Sequence, residues 1–178
     1  MCATFVTLKT HPMITTILFP TDFSIESLAF LKNVLNQRKD QKIEVVLAHG
    51  MHLSDSITDL LFFSKTRTLK RLTSHEFEQA VELIWNKYSS LLVDIRKEIV
   101  LGHSQEFVDR FIESQGVQEA YIPVGYKPNL HNNLSYDLAP LIAESSIKVH
   151  KRDWKGVEGV HGEAQLADMF FDGVTAKT

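Results

Sequence analysis

The chain has 178 residues, 44% of them hydrophobic and 23% charged, with a formal net charge of −3. A domain of this size buries roughly 70% of its unfolded surface and needs neither disulfide nor metal to stand. The charge gives no reason to expect nucleic acid or an anionic membrane as partner, and the single cysteine, Cys2, excludes an intrachain disulfide.

No stretch approaches the roughly 18 apolar residues of a membrane span, and the first dozen residues lack the pattern of a secretory signal. A cytoplasmic protein is the expectation. Residues 1–13 read as a lead-in, with a short extra strand conceivable over 4–8 before His11-Pro12. An apolar run over 14–19 predicts a buried strand that Pro20 ends, because proline has no N–H for the ladder. Ser24 is a natural N-cap for a helix over 25–38, whose Leu28, Leu31, Val34 and Leu35 recur at helical spacing.

The run 43–49 is apolar almost throughout and predicts a strand covered on both faces. Ser54-Asp55-Ser56 can cap a helix bearing Ile57, Leu60, Leu61 and Phe63. The basic cluster that follows, Lys65, Arg67, Lys70 and Arg71, reads as a solvated helix face or loop. Thr73 or Ser74 then caps a helix to about residue 90, with Phe77, Val81, Ile84, Trp85 and Tyr88 on one side.

A third strand is expected within 95–101, ending at Gly102, and a helix over 105–115 that closes at Gly116. Residues 120–124 form the next strand, up to Gly125. After a polar loop over 126–133, a helix is expected over 134–145, with Pro140 in its first turn. The alternation over 147–154 suits an edge strand, or one paired across a dimer. The resulting βαβαβαβαβ order predicts an α/β fold, a five-stranded parallel sheet wound on both faces. The domain is expected over 14–154, with a C-terminal extension over 155–178 whose Leu166, Met169, Phe170 and Phe171 could dock.

Several pieces carry a family resemblance: Ile-Leu-Phe-Pro-Thr-Asp-Phe-Ser at 17–24, Val-Val-Leu-Ala-His at 45–49, Ile-Val-Leu-Gly at 99–102, Tyr-Ile-Pro-Val-Gly at 121–125 and Ser-Ile-Lys-Val-His at 146–150. In this order, across about residues 14–152, they resemble the universal stress protein family. The resemblance implies the three-layer sandwich of the adenine-nucleotide-hydrolase-like fold. It also implies a stress-response role and dimerisation through the last strand, for which Ile147, Val149 and Lys151 are the candidate interface residues.

ATP-binding members of that family carry G-x2-G-x9-G-(S/T) after the fourth strand. Glycines there let backbone N–H groups close on phosphate oxygens. Here Gly125 matches the first glycine, Pro128 stands at the second, and Leu138-Ala139 or Asn133-Leu134 fall at the third and its hydroxyl partner. Proline adds bulk and removes a donor, so the phosphate cradle is lost. Pro20, Thr21 and Asp22 match positions that meet the adenine and ribose end. With His49, Gly125, Asn129 and His131 they are the candidate ligand residues. Asp22 also has a plainer role open to it, fastening the helix start beside Ser24.

His49, His52, His103 and His131 could all sit on the rim at the strand ends, where a metal or pH-sensing site is conceivable, but no ligand spacing joins them, and the favoured reading is unrelated rim residues. No nucleophile elbow, Walker A loop, GxGxxG, HExxH or Cys-His arrangement occurs, nor the pyrophosphatase or HIGH signatures of related folds. No metal, cofactor or catalytic residue is expected. The functional expectation is a non-enzymatic regulator of the universal stress protein kind, without ATP and acting through a homodimer and protein partners. The rival is a sensor of a small ligand or nucleotide in the crevice at the strand ends. An enzyme with unrecognised catalytic residues is the third and weakest possibility.

Overall fold

Alternation of side chains along two central strands builds both cores. The computed structural model describes residues 14–38, 42–52, 54, 56–130 and 132–154. Cys2, the conceivable strand over 4–8, His131 and the apolar positions of the C-terminal extension lie outside the described residues.

The strands are β1 (Thr15–Pro20), β2 (Ile43–Met51), β3 (Leu92–Leu101), β4 (Glu119–Val124), β5 (Ser135–Tyr136) and β6 (Lys148–Asp153). Five of them run parallel in the order β3-β2-β1-β4-β6, while β5 pairs antiparallel with β2. The helices are α1 (Ile25–Gln37), α2 (Ile57–Leu61), α3 (Lys65–Leu72), α4 (His75–Lys87), α5 (Gln105–Ser114) and α6 (Ala139–Ala143).

Ile17 and Phe19 of β1, with Val45 and Leu47 of β2, join the α1 and α4 side chains in one core. Leu18, Val46 and Ala48 face the other way and meet Val108, Ile112 and Ile142 of α5 and α6. The expected doubly wound α/β architecture is present, a sheet between two helical layers.

Serine starts four of the helices. Ser24, Ser64, Ser74 and Ser104 each accept the backbone N–H three residues on, which satisfies a donor the first turn leaves open. Ser24 was legible as a cap from the sequence, as was Ser74.

The basic stretch after Phe63 is the helix α3, held by burial of Thr68 and Leu72 and by an ion pair from Lys65 to Glu98 of β3, and Lys65, Arg67, Lys70 and Arg71 form its exposed face, as the solvated-helix reading expects. Three local expectations need correction. The helix expected over 134–145 is a strand followed by a short helix. Gly50 and Met51 capture Tyr136 and Ser135 into the sheet, and Pro140 lies in the first turn of what remains. The third strand begins at Leu92, three residues earlier than its apolar run, because β2 offers partners along its whole length. On α4, Phe77, Ala80 and Ile84 are buried, whereas Trp85 is 38% exposed.

Candidate functional site

β1 ends at Pro20, but the pairing with β2 continues one residue, since Thr21 N donates to Ala48 O at 2.9 Å. Phe23 then takes φ 58°, a left-handed conformation costing an L-residue about 1–3 kcal/mol. Its ring holds it there, buried 5.3 Å from His49 and 5.4 Å from Phe77 between ring centroids. This bend turns the Asp22 side chain inward, where it is fully buried.

Both Asp22 oxygens are engaged. Oδ1 accepts the Ser24 backbone N–H at 3.0 Å and the Ser24 hydroxyl at 2.6 Å. Oδ2 accepts the Tyr126 hydroxyl at 2.6 Å and the Asn129 backbone N–H at 2.7 Å. Asp22 thus fastens the helix start, and the loop after β4 lies across its other edge. Burial, then the bond to Asp22, pushes the Tyr126 hydroxyl well above the usual tyrosine range, so it stays a donor.

The neighbours of Asp22 are equally committed. Thr21 Oγ1 accepts the Phe23 N–H at 2.9 Å and lies 2.8 Å from Ser27 Oγ. His49, fully buried, has Nδ1 2.9 Å from the Thr21 carbonyl and Nε2 2.9 Å from Ser135 Oγ. A carbonyl only accepts, which assigns a ring proton to Nδ1.

Pro20, Thr21, Asp22 and His49 do meet in one crevice at the carboxyl ends of the strands, with Tyr126, Pro128 and Leu138 opposite. Its volume is about 50 Å³. Small-molecule pockets occupy roughly 300–1,000 Å³, so this one holds little beyond water. Leu138, at the register of the third glycine, is buried and fills the wall. The next N–H, of Ala139, donates to Asp137 Oδ1 at 3.0 Å instead of facing outward for a phosphate.

Gly125 and Asn129 sit in an adjoining shallow recess, beside Glu26 and Trp154, with Asp22 at its floor. Gly125 has φ 83°, a conformation glycine adopts freely. His131 lies outside the described residues. Ile57, Leu61, Phe62 and Phe63 do not line the crevice, and Ile57 and Leu61 are exposed.

Of the other candidates, Ile147 and Val149 pack partly against their own core, leaving Lys151 exposed on β6. The His52 and His103 rings meet at 4.7 Å, while His49 is sequestered with Ser135. Among the described residues no three His, Cys, Asp or Glu side chains converge on a metal position.

Sequence reasoning missed Tyr126, Ser135 and Tyr136. Tyr136 lies over Gly50 and donates its hydroxyl to Gly102 O at 2.5 Å, closing the space above β2. The first lay in a stretch read as polar loop and the other two in one read as helix, so no periodicity pointed to them.

No family model matches the sequence, and no curated protein sequence matches it. Solved structures do. The hypothetical protein PH0823 is similar with TM-score 0.50 and 19% identity, covering 80% of this chain and 98% of that one. Universal stress protein UspA from Lactobacillus plantarum gives TM-score 0.50 and 13% identity, covering 77% and 96%. At such identities the likeness is one of fold, and it agrees with the sheet order and the double winding seen here.

Proposed function

With the fold of the universal stress proteins as premise, we propose that this chain is a non-enzymatic regulator of that kind which does not use ATP and acts through protein contacts. One observation carries the reading. The crevice where an open α/β sheet holds its ligand is filled by the chain's own groups, with Tyr126 and Asn129 already on the Asp22 carboxyl group. A nucleotide would have to displace both, and no glycine cradle would receive its phosphates.

Thermal unfolding with millimolar ATP, AMP or adenosine, each with Mg²⁺, tests this. The expected result is an unchanged midpoint. A ligand at 100 times its dissociation constant would add about 2.7 kcal/mol, a rise of about 5–11 °C for a domain of this size. Such a rise with ATP overturns the proposal. A rise with AMP and adenosine alone favours the rival sensor, whose crevice would keep its base end by swinging Tyr126 aside.

The partner contact nearest to hand is a second copy. β6 is an edge strand whose outer backbone groups have no partner among the described residues. Pairing two copies antiparallel about Arg152 would set Lys151 of each against Asp153 of the other. Sedimentation should then give a dimer, weakened when Lys151→Glu makes these facing pairs repel. A monomer at high micromolar concentration rules this interface out.

A further inference from the structure

A cavity of about 880 Å³ lies beyond the crevice, at the carboxyl end of β2 and under α3. It is of ligand size, and the two hollows have no lining residue in common. Its charge is one-sided. Arg67 and Arg71 both line it, one turn apart on α3, and no carboxylate lines it among the residues whose side chains are described.

Neither guanidinium has an ion pair or side-chain hydrogen bond among the described residues, although most described ion pairs engage an arginine or lysine elsewhere. Two like charges at i and i+4 repel, and burying Thr68 and Leu72 of the same helix keeps them side by side. An anion between them would relieve that repulsion.

The rest of the lining adds donors and an apolar floor. Asn132 Oδ1 is consumed by the N–H groups of Leu134 and Ser135, both at 2.9 Å, which leaves its amide N–H groups to donate. Phe62, Phe63 and Met51 supply apolar walls, and the His52 ring stands at the edge, steadied by Tyr136 at 4.9 Å.

We propose that this pocket binds a small phosphate monoester with a planar or apolar body, the phosphate between Arg67 and Arg71 and the body against Phe62 and Phe63. Guanidinium groups take phosphate oxygens in pairs, a geometry lysine cannot reproduce. The inference does not depend on closure of the β1–β4 crevice.

Calorimetric titration of the full chain with phenyl phosphate, inorganic phosphate and phenol tests it. Phenyl phosphate should bind at least tenfold more tightly than either fragment. The double variant Arg67→Gln with Arg71→Gln should lose tenfold or more of that affinity with an unchanged far-ultraviolet spectrum. Lys70→Gln, on the same helix but outside the lining, should keep it. Absence of phenyl phosphate binding, or equal losses in the double variant and in Lys70→Gln, overturns the proposal. So does binding that survives the double variant but competes with adenosine, which places the ligand in the crevice.

Discussion

The Tyr126 hydroxyl donates to Asp22 Oδ2 at 2.6 Å, joining residues 104 positions apart. This bond ties the loop after β4 to the turn after β1, the two segments that flank the crevice. Tyr126→Phe removes the donor and leaves a buried carboxyl oxygen one partner short. Hydrogen bonds to charged groups contribute about 1.5–3 kcal/mol, and urea unfolding should show a loss of that order. Unchanged stability would mean that the loop is held by Asn129 and by Trp154, whose ring lies 5.1 Å from Tyr126.

Gly50 has no room for a methyl group. A Cβ there would stand 2.7 Å from Tyr136 Cζ and 2.9 Å from the Tyr136 carbonyl oxygen. Gly50→Ala should therefore push β5 off β2 and cost about 1–3 kcal/mol, the usual price of overpacking. Combining it with Tyr136→Ala removes the ring but leaves the backbone clash, so the double variant should lose less than the sum of the two single losses and more than Tyr136→Ala alone. Full additivity in the unfolding midpoints would show that β5 yields freely.

Stability should fall on the alkaline side through two tyrosines. Burial pushes the Tyr136 hydroxyl up to about 12, and burial with the Asp22 bond raises Tyr126 further. Both groups are protonated when folded, and their unfolded forms titrate near 10. Their contribution is complete below pH 10 and is lost as pH climbs from 10 toward the folded values. Denaturant melts across pH 9–12 should fall in the native protein and fall less in Tyr136→Phe. An identical slope in both would remove Tyr136 from the account.

The acid limb should depend on Glu119. Burial alone would raise its carboxyl, but Arg38, which bonds it directly, outweighs that together with Lys148 and His150 and holds it below the usual carboxylate value of 4.5. A lowered folded value means that the stabilisation is present above about pH 4.5 and is lost as pH falls through the folded value. Glu119→Gln should flatten the loss of stability between pH 5 and 3. A variant with the native slope would show that other carboxyl groups govern acid unfolding.

The layered α/β fold is legible in local patterns alone, since apolar runs such as 43–49 and helical stripes such as Leu28, Leu31 and Leu35 have one period each. The sequence also sets Pro128, which has no backbone N–H to donate, in the loop after β4. It also brought Pro20, Thr21, Asp22 and His49 into view as neighbours at strand ends, where they do meet.

What those residues do depends on contacts between distant segments. Asp22 finds its partners at Tyr126 and Asn129, and His49 finds Ser135, across distances in sequence that no local pattern encodes. The strand β5 exists because Gly50 leaves space for Tyr136, overriding a stretch that reads as helix. Arg67 and Arg71 are a run of surface charge in the sequence. Their placement on one wall of a cavity depends on α3 burying Thr68 and Leu72, and a single helix carries no information about the hollow it will face.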